Sequence, residues 1–386
     1  MVAIIGTPSA AADVDVRASM RCLPRLLQPF LTWVTGKPLR GQRPYVPARR
    51  ALRLVGAVGM LANGVVFGAI LLDATYALWL LLPLSWLMTT GALRDLYLGI
   101  AHHAAHDNLF RSRRANRAAG MLLTSFVLEL SFDRYRESHL RHHSSKLAGA
   151  EDDDVIALSA MGIHPGLPRA ELWDRLFRVG LLSPRFYARR LAHRLRETFV
   201  VASPAHRLLA LVWHGGGLVL VWLYDAWALW LLVWLPPLLA FSQASLLANT
   251  ACEHVWHVRQ HRNGSRMQHQ TVARFLGDPT PHGERGAAYL ASWAYWWARL
   301  LFLHVPSRVA VLISDLPQHD LHHRRPQSDW ANAAYVREQD LETAREGTYR
   351  EVWGSLAQHI DFVFDAWRSL PDASAAGSDP TPMRAP

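Results

Sequence analysis

Two pairs of long apolar runs constrain this chain more than any other feature. Residues 54–72 carry no charge, and after the single Asp73 residues 74–93 carry none either. The plan recurs further on, where 208–224 is uncharged, Asp225 interrupts, and 226–248 is uncharged again. A run of about 20 residues, rising about 1.5 Å per residue, crosses a hydrocarbon core of about 30 Å. Within that core each backbone N–H and C=O must find its partner inside the protein, which favours helices. The expected fold is therefore all-α and integral to a membrane, with four transmembrane helices in two hairpins. Gly215–Gly217 and Pro236–Pro237 would loosen the second pair, which is tolerable where neighbouring helices satisfy the freed groups.

Charge sets the expected orientation. The net charge is +10, and apart from Lys37 and Lys146 every lysine-or-arginine position is arginine. The arginines cluster at 40–53, 111–117, 185–196 and 258–266, beside or between the apolar runs. A nucleic-acid module would interleave them with stacking aromatics on a soluble scaffold, so nucleic acid is not an expected partner. Both hairpin turns lack arginine while the outer flanks are rich in it, so the turns are expected outside and both termini in the cytoplasm. The Ala/Arg/Leu-rich, Lys-poor composition suggests a GC-rich bacterial genome, and the expected location is a bacterial inner membrane. Two cysteines, Cys22 and Cys252, make no disulfide framework. The aromatic stretch at 287–305 is nearly long enough to span. A fifth crossing would carry the chain after it to the other side, so an interfacial or buried helix is expected there. Residues 1–16 lack the charged start and apolar core of a signal peptide. The expected organisation is an N-terminal cytosolic segment over 1–50, partly disordered, a membrane domain over 51–370, and a disordered tail over 371–386. Within the domain, a cytosolic cap is built from 94–206 and 249–370.

Histidine is written in a pattern around these runs. "HHAAH" gives His102 and His106, "SHLRHHSS" gives His139, His142 and His143, and "QHDLHHRR" gives His319, His322 and His323. On a helix, residues three and four apart share a face. Three short helical segments just beyond the span ends can therefore aim eight imidazoles inward. Eight exceed what one four- to six-coordinate ion uses, so the arithmetic favours two metals. Imidazole suits zinc, copper, iron and nickel alike, so spacing alone leaves the metal open.

The order His-x-x-x-His, His-x-x-His-His, His-x-x-His-His, with a long hydrophobic hairpin before the last box, resembles the membrane fatty-acid desaturase family. The resemblance covers about residues 52–335 and includes "HHAAHDNLFRSRRANRAAG" and "SFDRYRESHLRHH". It implies a cytosolic helical cap over four membrane helices, two iron ions held by histidines, and O2 as co-substrate. It also implies electrons from an external donor. A ninth ligand just after the fourth span is implied at His254, in "NTACEHVWH", whereas His257 and His261 match no motif. The sequence departs from the family in having His103 where an aspartate commonly follows the first histidine of the first box. A carboxylate there would orient a ligand imidazole, so Glu151–Asp154, Asp107, Asp315 or Asp320 is expected to take that role. The stretch "WHGGGL" looks like a cytochrome haem motif, but it lies inside the third span with no soluble domain around it. The donor is therefore expected to be a separate ferredoxin- or cytochrome-like protein with its NAD(P)H reductase, attracted by arginines at 111–117 and 185–196.

The expected function is oxygen-dependent desaturation of a fatty-acyl chain, linked to lipid, coenzyme A or a carrier protein. Hydroxylation, ketolation or triple-bond formation on a lipid, carotenoid or alkyl substrate is the alternative within the superfamily. A zinc-binding membrane receptor or hydrolase is the alternative from another class, and nine candidate ligands count against it.

Overall fold

Four helices long and apolar enough to cross a membrane occupy Arg50–Asp73, Tyr76–Ala105, Pro204–Leu223 and Trp227–Glu253. The computed structural model describes residues 15–144, 152–256, 270–283, 286–345 and 347–368. The outward faces of the four helices leave Val66, Ile70, Leu80, Leu220 and Trp222 more than half exposed, as side chains facing lipid would be. The spans pair as hairpins. Asp73 closes the first helix, and Asp225, at a left-handed φ of 51°, turns the chain between the third and fourth. Aspartate tolerates that conformation better than most residues.

Small residues let the hairpins close. A Cβ at Gly64 would stand 2.6 Å from Thr89 Oγ1, and one at Gly68 would stand 2.6 Å from a Val233 methyl. Ser85 adds a hydroxyl that donates to the Gly64 carbonyl at 2.7 Å. In lipid, where apolar surface gains nothing by leaving solvent, such close backbone approach and interhelical hydrogen bonding hold helices together.

Span boundaries differ from the expected ones chiefly at the ends nearest the histidines. The apolar run of the second span ends at 93, and the helix continues past it through a π-helical turn, Asp95–Ala101, to Ala105, carrying His102. The fourth was expected to stop at 248 and runs to Glu253. In both cases the helix leaves the apolar run and enters the cap, so hydropathy marks where the membrane ends and not where the helix does.

The cap is helical and grows from both hairpins. Its core joins Val155, Leu158, Leu172 and Leu176 to Leu247 and Ala251 of the fourth span and to Val363, Phe364 and Trp367 of the C-terminal helix, Leu356–Arg368. A second core joins Leu93, Leu96 and Ile100 of the second span to Leu109, Phe132, Tyr135 and Trp330. The one paired sheet among the described residues has two short parallel strands, Ala273–Leu276 and Glu351–Gly354. From residue 15 onward the N-terminal segment is packed structure. Met20, Leu31 and Val34 share a buried cluster with Trp296 and Leu300. The aromatic stretch forms a helix from Ala287 to Ala310, with a π-helical turn at Leu300–His304. It buries that face and exposes Leu290, Tyr295 and Phe302 on the other, the two-sided character of an interfacial helix. Residues 1–14 and 369–386, His257, His261 and Glu151 lie outside the described residues.

Candidate metal centre

The first two imidazoles are delivered by the second span. Past its π-helical turn, His102 and His106 lie one turn apart, and Asp107 (φ 56°) ends the helix. The loop after the last box clamps this end. The Gln327 side chain donates to the His106 carbonyl at 2.6 Å, and Asn108 Nδ2 donates to the carbonyls of Pro326 and Ser328. His139, His142 and His143 end the helix Phe132–His142, and His319, His322 and His323 lie on the short helix His319–Arg324. His254 sits where the chain leaves the fourth span in extended conformation, at φ −132° and ψ 159°.

These nine rings converge on two points. His102, His106, His139, His143 and His322 bring ligand atoms within 4.8 Å of one another, and His142, His254, His319 and His323 do the same. In the first group Nε2 of His322 is 2.6 Å from that of His102, 3.1 Å from that of His106 and 3.2 Å from that of His143. In the second, Nε2 of His254 is 3.0 Å from that of His142 and 3.2 Å from that of His319. Helix geometry explains the partition. Residues four apart differ by about 40° around the axis, and residues three apart by about 60° in the opposite sense. The pairs 139/143 and 319/323 therefore each serve one group, while His142 and His322 cross to the other.

Hydrogen bonding does not account for this convergence. A neutral imidazole has one ring proton, so several Nε2 atoms cannot all pair with one another. An ion about 2.1 Å from each ring nitrogen would set neighbouring ligands about 3.0 Å apart at right angles, close to the observed spacings. Seven of the nine rings are also held toward the neutral state that metals bind. Burial, followed by the neighbouring imidazoles, holds His139, His254, His319, His322 and His323 well below the ordinary histidine range. Burial holds His106 down to about 3 and His143 to about 2. Each group is thus a site that could hold a metal ion.

The far side of several rings is braced. Burial works to lower His142, but Asp152, 2.8 Å from its Nδ1, outweighs that and leaves it raised. His254 Nδ1 donates to the Gln270 carbonyl at 3.3 Å. Of the expected carboxylates, Asp152 and Asp315 lie against histidine rings. Asp315 contacts His103 Nε2 through both oxygens at 3.1 Å and stands 4.0 Å from His322 Nδ1. Asp154 also brings an oxygen within 4.8 Å of a His142 ring nitrogen and accepts from Thr250, whereas Asp320 grips Arg337 and Asp107 pairs with Arg136. His103 joins neither of the two large groups; its ligand atom lies within 4.8 Å of those of Asp315 and His322. It is fully buried and stacked on Trp330, with centroids 4.3 Å apart and planes 9° apart. Trp330 was not singled out in the sequence, because nothing in its local spacing places it beside a histidine; Glu253 directly precedes His254 but was given no role there.

A cavity of about 410 Å³ opens beside both groups. His102, His139, His142 and Glu253 form one wall, and Leu98, Leu130, Ile156, Leu246 and Leu316 supply apolar surface. Arg134 and Arg141, with side chains 55% and 39% exposed, lie at its outer end. A larger apolar groove of about 820 Å³ runs along the third and fourth spans and touches none of the nine histidines. His214 of the "WHGGGL" stretch borders that groove, and its Nε2 donates to the Ser125 carbonyl at 3.1 Å. It is a helix-packing residue.

The family model described as Fatty acid desaturase matches residues 77–353, a segment containing all nine histidines. Comparison with curated proteins gives no match.

Proposed function

Because the chain belongs to the fatty acid desaturase family, and so to the membrane enzymes that oxidise lipids, we propose that it desaturates a fatty-acyl chain with O2 at a two-iron centre. The observation that carries this reading is the convergence of nine imidazole nitrogens on two adjacent points beside an acyl-sized cavity. A structural or hydrolytic zinc site uses three or four protein ligands; the group of five exceeds that, and a second group of four stands beside it. The proposed ligands are His102, His106, His139, His143 and His322 for one ion and His142, His254, His319 and His323 for the other.

Two irons bound there would supply the oxidising power needed to remove hydrogen from an unactivated CH2. The chain's own residues hold and orient. Asp152, through Nδ1 of His142, and the Gln270 carbonyl, through Nδ1 of His254, fix those rings with Nε2 inward. The leucines of the cavity exclude water and fix which carbons meet the centre, and an error of about 1 Å there changes the outcome. In balance, –CH2–CH2– gives up two hydrogens as O2, two electrons and two protons become two waters. The electrons come, in this proposal, from a separate ferredoxin- or cytochrome-like protein and its NAD(P)H reductase. The exposed Arg111, Arg113, Arg114 and Arg185 offer cationic surface suited to an acidic donor. The centre would face the cytoplasm of a bacterial inner membrane.

Hydroxylation is the competing outcome, since it begins with the same hydrogen removal. Expression in a host of known lipid composition, followed by mass spectrometry, separates the two. Desaturation lowers an acyl chain by two mass units, and hydroxylation raises it by sixteen. New products at plus sixteen alone would replace the desaturase reading with the hydroxylase one.

A further inference from the structure

Among the described residues, three aromatic rings other than histidine pack against the clustered histidines. Tyr135 stacks on His139, Trp256 meets His142 and His254, and Trp330 stacks on His103. They lead to different places. Tyr135 lines the cavity, and Trp256 is fully buried in the cap core with Leu158, Leu172 and Trp367. Trp330 is buried too, but its Nε1 donates to the Asn108 carbonyl at 3.4 Å. Asn108 opens the segment that carries Phe110, Arg111, Arg113 and Arg114, all exposed. The backbone N–H groups of Leu109 and Phe110 donate to Asn116 Oδ1 at 3.2 and 2.8 Å, which holds this segment against the helix Arg113–Phe126.

His103 is the link inward. One face of its ring lies on Trp330, and its centroid is 4.9 Å from that of His102 and 5.4 Å from that of His322. Both of those rings belong to the group of five. Asp315 fixes the His103 ring, contacting Nε2 through both oxygens at 3.1 Å. A tryptophan, a histidine and two candidate ligand rings thus lie in succession, each packed on the next. Electrons tunnel far faster through packed and bonded atoms than across a gap, so such a succession is a favourable route.

We propose that Trp330 and His103 are the electron entrance to the centre, leading inward from an acidic one-electron carrier protein docked on segment 110–114. This rests on the reading that the two histidine groups hold two irons. Each transfer oxidises the carrier by one electron and reduces one ferric ion by one. No bond breaks, and neither ring keeps the electron. The arginines of the segment would meet carboxylates of the carrier, and Phe110 offers an apolar contact among them.

The test uses the full-length protein in detergent and an acidic plant-type iron–sulfur ferredoxin, a low-potential one-electron donor. With metal-free protein, the double variant Arg111→Glu, Arg114→Glu should bind ferredoxin at least tenfold more weakly by titration calorimetry. Trp330→Leu should bind it as wild type does. With iron-loaded protein in anaerobic stopped flow, Trp330→Leu and His103→Leu should each slow reduction by ferredoxin at least tenfold. Trp330→Phe, which keeps a stacked ring, should stay near the wild-type rate. Dithionite, small enough to enter the cavity, should reduce all three at the wild-type rate, which shows that the centre itself is intact. Wild-type rates with ferredoxin in the two leucine variants, or equal slowing with dithionite, would overturn the route. Ferredoxin binding unchanged by the arginine substitutions would overturn the docking segment. A wild type that holds no iron would overturn the two-iron reading, and this inference with it.

Discussion

At the scale of single residues, the centre depends on rings that must stay neutral, inward and braced. His142→Ala or His322→Ala should abolish turnover and lower bound iron, while the protein still inserts in the membrane. Iron content of membranes carrying each variant, with the wild type alongside, checks this, and full activity in either variant would refute the ligand assignment. Asp152→Asn keeps the size of the brace on His142 but removes its charge. Loss of such an outer partner weakens metal affinity by about 10–100-fold, measurable by competition with a chelator. Burial in the cap has a further consequence at His359, which is held down to about 3 by desolvation, then by the nearby Arg274. Its Nε2 donates to the Phe275 carbonyl at 3.2 Å. With the folded value below the unfolded one, the unfolded chain binds the extra proton, so stability is full above about pH 6.5 and is lost as pH falls toward 3. Between pH 7.5 and 5.5 this group alone should remove about 1.4 kcal/mol. Unfolding of the metal-free protein should therefore lose about that much more in wild type than in His359→Gln.

At the scale of elements, the second span matters most, because one helix is both membrane anchor and ligand arm. Its π-helical turn, Asp95–Ala101, lies between the apolar run and His102. Deleting one residue within that turn would rotate the rest of the helix by about 100° and swing His102 and His106 off the shared point. Such a deletion should leave insertion intact and lower bound metal to about half of wild type or less, read by metal analysis of the purified variant. The apolar runs and the i, i+3, i+4 spacing made the spans and the three histidine-bearing helices legible in the sequence, since both rest on periodicity along one segment. The spacing of His102 and His106 allowed the second helix to run on past residue 93, but its π-helical turn was not legible, because such a turn has no hydropathy signature. Nor was the division of the nine histidines into five and four, which depends on how three helices face one another. Glu253, Trp330 and the stacking of His103 are likewise contacts between distant segments. Of the acidic residues that spacing offered as braces, Asp152 and Asp315 face histidines while Asp107 and Asp320 face arginines, and only the tertiary fold separates them.

At the scale of the whole molecule, two hairpins insert the chain and lift one cap in which every box meets. The proposed topology puts the arginine-free turns outside, so single cysteines introduced at Thr75 and Asp225 should react with an impermeant thiol reagent added to intact cells. One introduced at the exposed Arg113 should react only after lysis, and labelling of Arg113→Cys in intact cells would invert the topology. The proposed chemistry requires that the cap hold two irons within a lipid-oxidising membrane enzyme. Metal analysis of the full chain purified from membranes reads that out without any knowledge of the substrate. About two irons per chain are expected, carried by groups of five and four histidines. A single tightly bound zinc ion per chain, with no iron, would contradict the two-iron centre.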